Sequence, residues 1–210
     1  MKERTVYKAI GMVAFLGAAS VQADMTIYST PDLMPGGYIE SPGSVSQSFL
    51  AAFAGTGQLS FQLGGSLSLD GVSWWTDTFT LNVNGSDIFS GAFNLGGGGI
   101  NTVFGGPVGS SVIVTTYGAL GDPHSTDEIT WQGGIADISL PVTLLYGTNT
   151  LTFSYAGGNQ GILDEGWKVN AVTVTAPVPE AEEWVMMMAG IPFIGWQIRR
   201  RQSKASLSIS

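Results

Sequence analysis

The chain has 210 residues and no cysteine, with 16 acidic and 8 basic residues and a formal net charge of −8. Without cysteine it can form neither a disulfide framework nor a thiolate-based catalytic or zinc site. Residues 24–176 hold twelve acids against a single lysine, Lys168, and therefore carry a net charge of −11. A surface of this kind repels nucleic acid and anionic lipid, so we expect neither as a partner.

The N-terminus has the three parts of a secretory signal. Lys2, Arg4 and Lys8 form a positive region, residues 9–19 are apolar, and Val21-Gln22-Ala23 places small residues at a cleavage site. We predict that residues 1–23 are a signal peptide cleaved between Ala23 and Asp24.

Residues 24–176 show short alternating polar and apolar runs instead of helical periodicity. The runs predict strands at 58–63, 66–70, 79–83, 88–89, 111–117, 128–131, 135–140, 150–155 and 168–175,. Asn84-Gly85 lies between two of them and predicts a type I′ hairpin turn. Strands at this spacing predict one all-β domain, a two-sheet β-sandwich or jelly roll, over residues 24–176.

The C-terminus joins an apolar run to a basic cluster. Residues 184–198 contain no lysine, arginine or acid, and Arg199, Arg200 and Arg201 follow at once. We predict a hydrophobic membrane helix over 184–198. The arginines and the polar tail 202–210 would stay cytoplasmic, and the domain before the helix would lie across the membrane.

This tail resembles the PEP-CTERM sorting domain of exported proteins of Gram-negative bacteria. The resemblance covers residues 177–201 and rests on the following residues: Val178, Pro179, Glu180, Ala181, Trp184, Arg199, Arg200 and Arg201. Ala181 departs from the pattern, which usually has a second proline there. The resemblance implies processing by an exosortase-like enzyme, transient anchoring in the inner membrane, and delivery to the cell surface or the extracellular space. It also implies an exopolysaccharide or biofilm setting.

Two further stretches resemble secreted lectin-like sandwiches. Leu69-Asp70-Gly71 is followed by residues 77–85, which read DTFTLNVNG, and residues 164–172 read DEGWKVNAV. In related modules the second stretch precedes the last strand. The resemblance implies a jelly-roll architecture and does not identify a ligand.

Four acids of these stretches are candidates for a structural calcium site: Asp70, Asp77, Asp164 and Glu165. Calcium needs several oxygen ligands, which loops supply from carboxylates and carbonyls. The alternative is that loop acids are simply solvated, and the lack of an EF-hand spacing or an Asp-rich repeat favours it.

Four tryptophans are candidates for sugar stacking: Trp74, Trp75, Trp131 and Trp167. Flat apolar sugar faces pack on aromatic rings. In an extended chain, neighbouring side chains alternate between faces, so we expect one of Trp74 and Trp75 to point outward and to bind ligand. For Trp131 and Trp167 we expect a place in the core.

No catalytic centre can be assigned from the sequence. His124 is the only histidine, and there is no Gly-x-Ser-x-Gly elbow to accompany it,. Twelve acids always offer some carboxylate pair for a glycosidase, so a pair does not discriminate. We therefore predict a non-enzymatic protein, and the resemblance of the tail implies a structural or adhesive role in exopolysaccharide or biofilm at the cell surface or in the extracellular matrix. The alternatives are a carbohydrate-binding module and a secreted polysaccharide hydrolase.

Overall fold

The computed structural model describes residues 24–117, 129–158, 160–162 and 164–177. The predicted signal peptide, the sorting motif with its hydrophobic span and arginines, and His124 lie outside the described residues. Within the described part, no helix is long and apolar enough to cross a membrane.

Eleven strands are found in these residues. In chain order they are β1 (Asp24–Asp32), β2 (Ile39–Glu40), β3 (Gly43–Ala51), β4 (Gly55–Gly65), β5 (Thr78–Val83), β6 (Ser86–Ala92), β7 (Thr102–Gly105), β8 (Ser111–Thr116), β9 (Gly134–Leu144), β10 (Gly147–Ala156) and β11 (Gly166–Pro177). One sheet has the order β1-β11-β4-β9-β8, with β2 also paired to β11, and the other has the order β3-β10-β5-β6-β7. The predicted all-β, two-sheet sandwich is confirmed.

Alternating burial along the inner strands holds the sheets together. In β4, β9 and β10 every second side chain is buried, as expected for strands with one face in a core,. Aromatic rings join the sheets: Phe61 of β4 lies 5.7 Å from Phe79 of β5 and 5.1 Å from Phe153 of β10. Each fully buried side chain of this size stabilises the fold by about 1.5–3 kcal/mol.

The predicted hairpin turn is confirmed. Asn84 and Gly85 have φ values of 53° and 88° and connect β5 to β6. The Asn84 side-chain amide donates to Asn149 Oδ1 at 2.9 Å, and its oxygen accepts from the Thr150 N–H at 2.8 Å. Both hydrogen bonds attach the Asn84 side chain to residues of β10 and so stabilise the turn.

Four strands were not predicted and two predictions were wrong. β1, β2, β3 and β7 lack a strong apolar alternation, and β1, β3 and β7 each lie at an edge of a sheet. Residues 66–70 are a loop in which only Leu69 makes bridges, and residues 129–131 are irregular. Backbone bonds to other loops replace strand pairing in both segments. β11 extends through Pro177, the first residue of the predicted sorting segment.

Candidate functional site

Four long connections meet at one end of the sandwich, which we call the loop end. Their described residues are 66–77, 93–101, 117 with 129–133, and 157–165 without 159 and 163. Backbone bonds join them: the Leu95 N–H donates to Leu69 O at 2.9 Å, and the Gly133 N–H donates to Leu67 O at 3.0 Å. The Ser68 N–H donates to Asp164 O at 3.1 Å. The loops therefore support one another, because their backbone groups are satisfied between loops instead of within strands.

Gly96 links two of these loops. Its carbonyl accepts the N–H groups of Thr130 at 2.9 Å and Trp131 at 3.1 Å. Gly96 has a φ of 114°, and a Cβ added there would overlap Leu67 O. Only glycine combines this backbone conformation with so close an approach. The position of Trp131 thus depends on a glycine in another loop.

Trp74 and Trp75 are both exposed, with 99% and 68% of their surface accessible. We expected only one of them to face outward, and this was wrong because they lie in a turn instead of an extended segment. The Ser73 N–H donates to Thr76 Oγ1 at 2.9 Å, and Thr76 Oγ1 donates to Ser73 O at 2.8 Å. The turn removes the alternation and presents both rings to solvent.

Trp131 and Trp167 have opposite environments. Trp167 is fully buried, as predicted, and lies 5.6 Å from the ring of Tyr155. Trp131 is 58% exposed, so the expectation of core packing was wrong. Its φ of 54° is unusual for a bulky residue and marks a turn, which the following Gly133-Gly134 pair could have indicated,. Trp74, Trp75 and Trp131 are hereafter the exposed tryptophans.

The four predicted calcium candidates lie together at the loop end, and we call them the acid cluster: Asp70, Asp77, Asp164 and Glu165. The Asp70 N–H donates to Asp77 Oδ2 at 2.9 Å, and the Asp77 N–H donates to Asp70 O at 3.3 Å. Ser68 Oγ donates to Asp164 O at 2.9 Å and also contacts Asp164 Oδ1. Asp70, Asp77 and Glu165 are buried, so the expectation of simple solvation does not hold for these three.

Burial and mutual repulsion make ionisation of the acid cluster costly. Burial raises the pKa of Asp70 to about 7, and the charges of Glu165 and Asp164 add to the effect. Burial likewise raises the pKa of Asp77 to about 7, against a lowering by the Asp70 backbone hydrogen bond. Burial also raises the pKa of Glu165. Lys168, the one basic residue among the described residues, has its ammonium 4.9 Å from the ring centroid of Tyr38.

The carboxylates of the acid cluster do not by themselves form a coordination shell for a metal ion. Among the described residues, no three histidine, cysteine, aspartate or glutamate side chains are placed to hold a metal ion between them. Any ion at the acid cluster would therefore need neutral oxygens as well, which calcium accepts from hydroxyls, carbonyls and water.

Comparison with known proteins finds only solved structures of similar fold. No family model and no curated protein matches the chain. Among solved structures it is similar to "CBM35 from Cellvibrio japonicus Abf62", with 11% identity over 76% of this chain and 90% of that one and a TM-score of 0.36. It is also similar to a carbohydrate-binding module, CBM6cm-2 from Cellvibrio mixtus lichenase 5A in complex with cellotriose, with 12% identity over 73% and 100% of the chains and a TM-score of 0.37.

A third similar structure is dimeric latent PorU from Porphyromonas gingivalis. The identity is 13%, the TM-score is 0.40, and the match covers 76% of this chain and 13% of that one. At such identities and TM-scores these likenesses carry no conclusion about ligand or activity.

Proposed function

We propose that the sandwich is an exported polysaccharide-binding domain whose exposed tryptophans stack on sugar rings. One observation carries the proposal: three tryptophans are 99%, 68% and 58% exposed on loops of the same end of the sandwich. Exposure of such large apolar rings has a cost in water that binding of a ligand would offset. The backbone bonds between loops hold the loop backbones in place, so little backbone freedom is lost on binding,.

Charge favours a neutral sugar polymer as the ligand. Residues 24–176 carry a net charge of −11, which repels polyanions such as nucleic acid,. Indole rings pack on the apolar face of a pyranose without needing an opposite charge. The exposed tryptophans and the acidic domain therefore point to the same class of ligand.

A non-catalytic role fits the burial of two carboxylates of the acid cluster. Asp77 and Glu165 have no accessible surface, whereas the carboxylates of a glycosidase must contact the glycosidic bond,. We propose that the domain binds polysaccharide without cleaving it, and acts as a structural or adhesive component of exopolysaccharide or biofilm at the cell surface or beyond. Turnover of a polysaccharide that is lost in Glu165→Gln would favour the hydrolase alternative.

Replacing the exposed tryptophans should abolish polysaccharide binding. Removal of one stacked ring, Trp74→Ala, Trp75→Ala or Trp131→Ala, should weaken affinity by about tenfold, equivalent to about 1.4 kcal/mol. Affinity electrophoresis in neutral polysaccharides chosen from a glycan array would measure this effect. Tyr146→Ala is the matched control, because Tyr146 is 78% exposed in the turn after β9, at the opposite end of the sandwich. Unchanged binding in the triple tryptophan variant would refute the proposal.

Export and processing follow from the resemblance of residues 177–201. We expect an exosortase-like enzyme to cleave the tail near Pro179-Glu180 once residues 184–198 are in the inner membrane. Mass spectrometry of the protein released from cells should then find a C-terminus close to residue 180, without Arg199-Arg200-Arg201. An intact arginine cluster on the released protein would show that the segment is not a processed sorting signal.

A further inference from the structure

Unpartnered buried polar atoms concentrate in one corner of the loop end. Among the described residues, six buried side-chain oxygen or nitrogen atoms have no hydrogen-bond partner. Five of them belong to residues in or around the acid cluster: Ser41 Oγ, Asp77 Oδ1, Tyr155 Oη, Glu165 Oε2 and Trp167 Nε1. Buried polar atoms are normally satisfied, so the free oxygens of Ser41, Asp77 and Glu165 indicate a shared partner,.

Asp77 Oδ1 and Ser41 Oγ lie beside Gly157, and the Glu165 side chain lies beside Gly158. A Cβ added at Gly157 would overlap Asp77 Oδ1 and lie 3.3 Å from Ser41 Oγ, and one added at Gly158 would lie 3.5 Å from Glu165 Oε1. The Ser41 N–H donates to Glu165 O at 3.0 Å. Glycine at position 157 therefore makes room for the Asp77 carboxylate itself and brings Asp77 Oδ1 and Ser41 Oγ to the same corner.

Asp77 and Glu165 each have a buried oxygen without a partner, and burial disfavours their ionised forms by raising the pKa of both groups. The Trp167 Nε1–H can only donate a hydrogen bond, and the hydroxyls of Ser41 and Tyr155 can donate as well. None of these groups bonds to a carboxylate, so they do not offset the charge of ionised Asp77 and Glu165. Buried carboxylates that stay ionised must be paired with a positive charge or coordinate a metal. The one lysine of the described residues lies against Tyr38 instead.

We propose that Asp77, Glu165 and Ser41 bind a divalent cation of the calcium class at the base of the loop that carries Trp74 and Trp75. The donor set consists of oxygen atoms, which suits a hard cation and not zinc. Two carboxylates and one hydroxyl leave room for the main-chain carbonyls and waters that calcium accepts among its six to eight ligands. Asp70 and Asp164 add negative charge without being required as ligands.

The cation would fix the tryptophan loop. Asp70 and Asp77 close this loop at its base through the reciprocal bonds of 2.9 and 3.3 Å. An ion on the free oxygen of Asp77 ties that base to Ser41 and to Glu165, which immediately precedes β11. Polysaccharide binding should then be stronger with calcium than without it, by coupling between the two sites. This last step rests on the proposed function, whereas the cation site does not.

The test uses calcium alone as the probe and contains no sugar. The full-length secreted protein, stripped with a chelator, should bind one calcium ion by isothermal titration calorimetry, and its melting temperature should rise by about 5 °C or more at saturation. Asp77→Asn and Glu165→Gln should remove both the heat of calcium binding and the rise in melting temperature.

Asp87→Asn is the control, because Asp87 is exposed and pairs with Asn82 away from the loop end. Ser41→Ala, which removes a neutral ligand, should keep the fold and weaken calcium binding about tenfold or more.

The outcomes separate the cation site from the sugar site. An unchanged melting temperature in calcium and in chelator, with no calorimetric heat, would overturn the cation proposal whatever the sugar results are. Equal loss in Asp87→Asn and Asp77→Asn would overturn the assignment to the acid cluster. Calcium binding with no polysaccharide binding overturns the proposed function and leaves the cation site standing. Polysaccharide affinity that is equal with and without calcium overturns the coupling.

Discussion

Replacing Phe79 with alanine is expected to lower the free energy of unfolding by about 4 kcal/mol. Phe79 has no accessible surface and lies at the centre of the ring cluster between the sheets. Ring centroids surround it at 5.7 Å for Phe61, 5.9 Å for Tyr155, 6.3 Å for Phe89 and 6.5 Å for Phe153. Truncation removes apolar contacts and leaves a cavity that strands of two sheets cannot close, and both effects cost stability.

Equilibrium unfolding in urea of the secreted protein and its variant would measure this difference. Phe104→Ala is a matched control on β7, because Phe104 is 51% exposed and its loss should change stability by less than about 0.5 kcal/mol,. A Phe79→Ala variant as stable as Phe104→Ala would show that the sheets are not held together at this ring cluster.

The central strands could be predicted because each has one face in this core. Leu59, Phe61 and Leu63 alternate with polar residues in β4, and Leu151, Phe153 and Tyr155 do the same in β10. β1 and β3 could not be predicted in this way, because edge strands bury little and their sequences are correspondingly polar,. Pairing such as that of Asp24 with Pro177 is set by β11, which lies far along the chain.

The site could be predicted in part. Asp70, Asp77, Asp164 and Glu165 were identified by residue type and loop position, but their burial depends on how four loops pack, which no local pattern encodes. Ser41 and Tyr155 were missed for the same reason, since they become relevant only through their nearness to Asp77. Burial raises the pKa of Tyr155 above its usual value, and the charges of Asp77 and Asp70 raise it further.

The wrong prediction for Trp131 came from assigning its segment to a strand. As part of a strand over 128–131 it would have faced the core. Instead its N–H donates to Gly96 O in another loop, and its positive φ turns the ring to solvent. The residue that decides its place, Gly96, is distant in sequence and lies in a run of four glycines that could equally be read as a flexible linker.

Replacing Gly96 with alanine should therefore affect stability and binding together. The new methyl group would overlap Leu67 O and lie 2.8 Å from Gly133 N, and the φ of 114° is strained for alanine. Strain and overpacking each cost about 1–3 kcal/mol, so we expect a loss of about 3 kcal/mol or more in the free energy of unfolding. Because the Gly96 carbonyl positions Thr130 and Trp131, polysaccharide affinity should also fall by about tenfold, as if the Trp131 ring had been removed,.

Gly37→Ala separates the steric effect from the conformational one. Gly37 has a φ of 94°, similar to that of Gly96, but no atom lies within 4 Å of a Cβ added there. Its replacement should cost only about 1 kcal/mol and leave binding unchanged, since the strain is present without the overlap. Urea unfolding and affinity electrophoresis on both variants would show whether the close approach of Gly96 to Leu67 holds the loop end together. Equal losses in the two variants would mean that φ strain alone accounts for the effect and that the loops do not depend on this contact.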